Sequence, residues 1–465
     1  MSELPDGIES APIPEPKDSS LGIVLRRGAG CAFEVLLGRR SRTSRFMPGN
    51  LAFPGGRMEA EDGPGRDGAF ERCVAREIAE ETGLVIPPES WRAAGERTTP
   101  PFFAVRFRTK FFVAELRQGT ELSGTPPQPQ EIETLEFADP AAVLADWEAG
   151  RALVPPPLLP ILRMLAAQPQ VGALAVADAT SRINVEEDPQ PRIEFTPGVW
   201  ALPLRTRTLP PASCTNVWMP GGDRFVVIDP GSTDSEENDR LLRVITRRRA
   251  TGARVDAVVL THHHRDHADG AGAIAKALGV PILAHPETLT RVPALPVSVA
   301  TRALSDGDVL DLAGMRLTVL HTPGHAPGHL AFFDEARRVL IAGDLVSGLS
   351  TILVGFQDGD MAAYMSSLRR AAALEPRTVL ASHGPPLPGK AIAATIAHRE
   401  EREVKVASAL GPEPRAVADI AADAYADTPQ APAFLRELQT RAHLLHLARR
   451  GAARALDEDG SRWIR

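Results

Sequence analysis

VDAVVLTHHHRDH, residues 255–267, sets a short valine-rich run directly against four groups that bind transition metals: His262, His264, Asp266 and His267. A β-branched run bounded by a polar loop reads as a buried strand, so a sheet would anchor the backbone while the side chains converge from the loop beyond it. If the chain stays extended past the strand, alternation puts His262 and His264 on one side and directs His263 elsewhere. Imidazoles and a carboxylate packed this closely have few uses besides holding zinc or a similar ion. The same layout recurs down the chain: His325 in HTPGHAPGH, Asp344 in AGDL and His383 in ASHGP each follow a strand-like run. Seven candidate ligands exceed the needs of one tetrahedral zinc and suit two ions that share a carboxylate.

All 12 histidines lie at or beyond residue 262, and the first half of the chain carries oxygen ligands instead. In AFERCVAREIAEETGL, residues 69–84, Phe70, Val74, Ala75 and Ile78 form an apolar stripe at helical period, and Gly83 supplies a positive-φ stop. Glu77, Glu80 and Glu81 then stand at i, i+3 and i+4 on one helical face. Like charges crowded there repel, and Mg²⁺ or Mn²⁺ carrying a diphosphate would relieve them. Arg76 is placed to pair with a neighbouring carboxylate and hold it in register.

A length of 465 residues with 43% apolar side chains exceeds what one core serves, so at least two domains are expected. Cys31, Cys73 and Cys214 are too scattered for a disulfide framework and fit a reducing compartment. The acidic, proline-bearing start lacks the basic end and apolar run of a signal peptide. No apolar run reaches the roughly 20 residues that span a bilayer. A cytoplasmic protein without a membrane partner is therefore expected. The net charge of -7 gives no global attraction to nucleic acid, which leaves any such contact to a local basic surface.

Residues 1–19 read as a disordered tail, 20–165 as a first domain, and 166–200 as a connection rich in charge and proline. Residues 201–392 repeat strands that end in histidine, aspartate or glycine loops, and 393–465 turn helical. Between 140 and 165 a helical pattern is interrupted by PPPLLP.

REIAEETGL resembles the second half of a Nudix box, and FPGGRMEAED its opening. That family's pattern asks for a glycine, five residues, a glutamate, seven residues and then the arginine-led core. Here the acids after Gly55 and Gly56 are Glu59, Glu61 and Asp62, and an insertion containing DGPGRDG separates them from Arg76. With SRFMPGNLAFPGGRMEAED, residues 44–62, the departure resembles the peroxisomal-type coenzyme A diphosphatases. The resemblance implies an α/β/α sandwich and metal-dependent cleavage of a nucleoside-diphosphate-linked substrate. Glu77, Glu80 and Glu81 would be the metal-binding carboxylates, with Glu80 and Glu81 catalytic. Phe46 and Met47 would touch a base or acyl group, or simply pack.

The histidine and aspartate set resembles that of the metallo-β-lactamase superfamily, an αββα sandwich. By that resemblance His262, His264 and His325 hold one zinc, Asp266, His267 and His383 the other, and Asp344 bridges them. Asp229 in VIDPG is similar to the family's early structural aspartate, and His329 to a residue that supports the ligands. Hydroxide held between the ions would attack an ester, thioester or phosphodiester, with Asp266 positioning it. HREEREVKVASAL and QTRAHLLHLARRG, followed by Trp463, resemble the winged-helix extension of the β-lactamase-like protein 2 group, whose members cleave single-stranded RNA. His443 and His446 in that tail read as helix residues rather than ligands. The expected protein is thus a multidomain α/β and α+β hydrolase, bifunctional on a nucleotide or acyl conjugate. The rival is an RNA-cleaving enzyme carrying a nucleotide-binding, non-catalytic Nudix domain.

Overall fold

The computed structural model describes all residues except 1–9, 29–31, 42–43, 45–46, 118–119, 121, 123–130, 183–192, 293–294 and 356–357. Cys31, Phe46, the start of the expected tail and part of the expected connection lie outside the described residues. The chain forms two compact units, one of residues 13–201 and one of residues 202–465 together with 1–12.

The first unit is built on a mixed sheet. Its central strand Lys17–Arg27 pairs antiparallel with Phe33–Arg40 and parallel with Phe107–Glu115, and Arg92–Thr98 closes that edge. Alternation splits the strand residues between two cores. Val24, Leu36 and Phe112 meet Val74 and Ile78 of the helix Ala69–Thr82 on one face. Ile23, Leu25, Val35 and Val113 meet the helices Pro140–Glu148, Leu159–Ala167 and Ala173–Arg182 on the other. The sheet therefore lies between two helical layers, and Ala69–Thr82 ends at Gly83 with φ 73°. PPPLLP does divide two helices, because proline supplies no amide for a continuous ladder. Two segments sit differently from the linear reading. The first strand opens at Lys17, inside the stretch expected as tail. Ala173–Arg182, inside the stretch expected as connection, is a helix that buries Val176 and Ala177 in the first core.

The second unit holds two larger sheets. One runs in the order Thr301–Ala303, Ile282–Ala284, Arg254–Val259, Arg224–Ile228, Thr215–Pro220 and Val199–Leu204. The other runs Val309–Asp311, Arg316–His321, Leu330–Asp334, Val339–Gly343, Thr378–Ala381 and Leu387–Pro388. Every residue of Thr215–Pro220, Leu330–Asp334 and Val339–Gly343 is buried, as strands covered on both faces must be. Met361–Ala373 covers the second sheet through Tyr364, Met365 and Leu368, and Ala271–Leu278 lies against the first. The chain ends in a module of three helices, Lys390–Ser408, Val417–Ala424 and Ala433–Arg449, with a small sheet ordered Arg415–Ala416, Arg462–Ile464, Arg454–Ala455. Val406, Ile420, Leu444 and Trp463 form its core. Among the described residues no helix is long and apolar enough to cross a membrane.

Candidate metal centres

The strand Arg254–Val259 runs parallel between Arg224–Ile228 and Ile282–Ala284, so its C-terminal end opens beside that of its neighbour. Chemistry in such sheets gathers at those ends, where loops leave a rigid support. Asp229 leaves the neighbouring strand at φ 55° and turns its carboxylate back into the buried gap. Its Oδ1 accepts from the Thr261 amide at 2.8 Å, and its Oδ2 faces Thr261 Oγ1 at 2.6 Å and His267 Nδ1 at 2.8 Å. Thr261 Oγ1 in turn lies 3.0 Å from His262 Nδ1. One aspartate thus fixes the ring faces of two histidines. Gly231 lets the same loop press on the next helix: a Cβ there would stand 1.9 Å from the Asp266 carbonyl.

Three histidines converge from the loop and from the second sheet. His262 Nε2 lies 2.9 Å from His264 Nδ1 and 3.2 Å from His325 Nε2. A second group gathers Asp266, His267 and His383, with Asp266 Oδ2 at 3.7 Å from His267 Nε2 and 3.4 Å from His383 Nε2. Asp344 faces both. Its Oδ2 is 3.5 Å from His325 Nε2, and its Oδ1 is 3.6 Å from His267 Nε2 and 3.5 Å from His383 Nε2. The remote nitrogens are held by the backbone, His325 Nδ1 at 2.7 Å from the Leu353 carbonyl and His383 Nδ1 at 3.1 Å from that of Cys214. His329 Nε2 accepts from the Asp344 amide at 3.0 Å and so holds that residue in place.

Whether a cation suits these groups can be tested on their hydrogen bonding. His267 Nε2 and Asp344 Oδ1 are buried with no hydrogen-bond partner, and the ring nitrogens of His262, His264 and His325 crowd one point. Buried polar atoms left this way are costly, and a shared cation resolves them. Imidazole and carboxylate are the donors zinc takes. Burial, reinforced by the neighbouring rings, pushes His262 and His264 well below the ordinary histidine range, which keeps their lone pairs free. Burial opposes charge on His267 as well, yet Asp266, Asp344 and Asp229 outweigh it and raise that ring to about 9. For Asp344, burial is outweighed by His383 and His267, which hold its carboxyl well below the usual range. The groups demand positive charge at their centre.

A cavity of about 750 Å³ reaches this cluster. His264, Asp266 and Asp344 line its floor, and Tyr425, Leu435 and Arg436 of the C-terminal module line a wall. Of the remaining histidines, His285, His321 and His446 stand apart from the two groups, whereas His263 adjoins the first. His263 turns away to Asp358 at 3.1 Å, forming a further cluster with His264. His285 and His321 stack at 4.2 Å, and His446 meets Glu403 at 2.5 Å. Thr261, Leu353 and Cys214 were not anticipated from sequence. The last two act through carbonyl oxygens, which no side chain advertises.

In the first unit, the helix Ala69–Thr82 lies over the short strand Gly55–Arg57, which pairs with Lys17–Arg27. Glu81 Oε2 accepts from the Gly55 amide at 2.7 Å, and a Cβ on Gly56 would stand 2.4 Å from Glu77 Oε1. Only a glycine pair admits the acidic helix so closely. Arg76 forms a fork to the buried Asp62 at 2.9 Å and reaches Glu77 at 3.0 Å and Glu80 at 3.1 Å. Of the three acids left open by the sequence, Asp62 makes the buried pair, and five residues separate it from Gly56. Burial raises Glu81 to about 8 and raises Glu77 as well. Glu80 faces solvent, and among the described residues of this unit no three ligand atoms converge as they do in the second.

Comparison with known proteins places both halves. Residues 207–383 match the profile of the metallo-beta-lactamase superfamily, and residues 16–156 match that of the NUDIX domain. The chain joins a Nudix domain to a metallo-β-lactamase superfamily domain, the latter bearing clustered histidine and aspartate ligand groups. Among curated proteins it is similar to a hydroxyacylglutathione hydrolase of Bdellovibrio bacteriovorus, 30% identical over 157 residues, or 34% of this chain and 57% of that protein. It is also similar to the lactamase-like protein adaB of Aspergillus niger, 30% identical over 200 residues, or 42% of this chain and 58% of that protein. The chain thus spans less than two thirds of either relative. A beta-lactamase domain protein from Burkholderia ambifaria superposes with a TM-score of 0.53 at 23% identity, over 59% of this chain and 93% of that one, a likeness of fold.

Proposed function

We propose that the protein is a bifunctional metal-dependent hydrolase. The observation that carries the reading is Asp344, whose two oxygens face the His262, His264, His325 group on one side and the Asp266, His267, His383 group on the other. Each group would hold one zinc ion. When bound, two such ions supply an activated water and polarise the oxygen of a scissile acyl or phosphoryl bond. Asp266, held ionised because His267 and His383 outweigh its burial, accepts a hydrogen bond from the attacking water and orients it. The cavity receives an ester, thioester or phosphodiester beside these groups.

In the Nudix domain the cation would be Mg²⁺ or Mn²⁺, taken by Glu77, Glu80 and Glu81. Such ions are commonly bound by one or two carboxylates together with substrate phosphates rather than by a closed protein cage, which suits the open set here. Buried Glu81 serves there as a proton acceptor, and Arg76 holds Glu77 against the strand Gly55–Arg57. The substrate read from both halves is an acyl thioester of a nucleotide-bearing thiol such as coenzyme A. A hydrolase of acyl thioesters is what the name of the Bdellovibrio relative describes, and a diphosphate is the bond a Nudix site cleaves. A second reading, single-stranded RNA with a nucleotide-binding Nudix domain, is favoured by Arg207 and Arg436. Both line the cavity, and no ion pair is formed by either among the described residues. On either reading the C-terminal module would be winged-helix-like.

The test compares wild type, His264→Ala and a Glu80→Gln, Glu81→Gln double variant on coenzyme A, its thioesters and a short single-stranded RNA, with Mg²⁺, Mn²⁺ and Zn²⁺ supplied separately. The expected result is loss of diphosphate cleavage only in the glutamate variant and loss of thiol release only in His264→Ala. RNA cleavage without thiol release selects the second reading. A wild type that holds both metals and cleaves none of these substrates overturns both.

A further inference from the structure

The segment Ile352–Val354 passes between the metal cluster and the C-terminal helices, and alternate carbonyls point opposite ways. The Leu353 carbonyl faces His325 Nδ1 at 2.7 Å. The carbonyls on either side face the helices: that of Ile352 accepts from the Arg399 guanidinium, and that of Val354 accepts from Gln439 Nε2 at 2.7 Å. Arg399 comes from Lys390–Ser408 and Gln439 from Ala433–Arg449, and the two are locked together by Arg399 Nη1 donating to Gln439 Oε1 at 2.6 Å. Arg399 is 2% exposed and Gln439 7%. Among the described residues no carboxylate pairs with Arg399, so this buried cation is held by the segment and Gln439, with the Tyr364 ring 5.4 Å from it. Gly355, at φ 134°, presses the segment home: a Cβ there would stand 2.8 Å from the Leu438 carbonyl and 3.2 Å from Ala442.

We propose that Arg399 and Gln439 are positioning residues for metal binding: they clamp Ile352 and Val354 so that the Leu353 carbonyl fixes the tautomer and plane of His325. The C-terminal module then sets the affinity of one ion of the pair without touching it. A histidine keeps its ligand nitrogen aimed only while its other nitrogen is held, and such outer partners typically change metal affinity 10- to 100-fold. The neighbouring group of Asp266, His267 and His383 takes its orientation from Asp229 and Cys214 instead, so it is outside the reach of the clamp.

The inference rests on His325 being a zinc ligand, and the experiment separates the two. Full-length protein is titrated with Zn²⁺ against a chromophoric chelator, and with Co²⁺ while the visible spectrum is followed, for wild type, Arg399→Lys, Gln439→Glu, Arg399→Met and His325→Ala. Circular dichroism and the thermal midpoint report folding. The expected result is two ions in wild type, with about tenfold weaker binding of one ion in Gln439→Glu, which keeps the bond to Arg399 but cannot donate to Val354. Arg399→Met weakens the same ion further, Arg399→Lys less because one donor remains, and the altered cobalt band is the one His325→Ala abolishes. Wild-type affinity for both ions in Arg399→Lys and Gln439→Glu overturns the clamp, whether or not Arg399→Met folds. A wild type whose zinc binding is untouched by His325→Ala overturns the ligand assignment instead.

Discussion

Asp229 shows how much can hang on one side chain. It adopts a positive φ, which aspartate tolerates better than most residues, and gathers Thr261 and His267 around one carboxylate. Asp229→Asn turns one of its two acceptors into a donor facing groups that themselves donate. The expected outcome is a folded protein whose Asp266, His267, His383 group binds zinc roughly 10- to 100-fold more weakly, read by chelator competition. Two glycines make opposite predictions. Gly231→Ala drives a methyl into the Asp266 backbone and should cost about 1–3 kcal/mol in denaturant unfolding. Gly56→Ala meets only the far end of Glu77, so stability should hold while the diphosphate cleavage proposed for the Nudix domain slows as that carboxylate is displaced. His262, His264, Asp266 and His267 could be read from sequence because they fall in one run after one strand. Asp62 could not be singled out, since the inserted loop breaks the spacing and only Arg76 identifies it in space. The Leu353 and Cys214 carbonyls left no trace at all.

Among elements, the helix Lys390–Ser408 carries a charge cluster whose response to acid can be worked out. Burial alone would raise the Glu403 carboxyl, but His443, 3.6 Å away, and His446, hydrogen-bonded at 2.5 Å, prevail and bring it down to about 2. Arg450 adds a contact at 2.9 Å. A folded value below the unfolded one, about 4.3, means the contribution is complete above that pH and drains away as pH falls toward 2. Glu403→Gln should therefore lower the thermal midpoint at neutral pH, and its difference from wild type should shrink across that window. Strands were the most legible elements, because β-branched runs such as FVVI and LTVL leave little alternative. Ala173–Arg182 was not, since VGALAVADA is too short and too uniformly small for a helical stripe to stand out, and its partner surface lies in a distant part of the chain.

At the scale of the molecule, two units with separate cores should answer to different ligands. A ligand that binds only folded protein stabilises by about 4 kcal/mol at a thousandfold excess over its Kd. Scanning calorimetry is expected to show more than one transition, with Zn²⁺ raising only that of residues 202–465 and His264→Ala reducing the shift. Within the second unit, the C-terminal module meets the rest of the fold through two sets of residues. Arg399 and Gln439 are tied to the segment behind His325, whereas Tyr425, Leu435 and Arg436 look into the cavity from the other side of the same scaffold. Inheritance can act on these two sets separately. A lineage that drifts at the cavity-facing positions acquires a new diet with its hydrolytic centre intact, so orthologues of this chain should diverge first along 425–436 and last at the clamp.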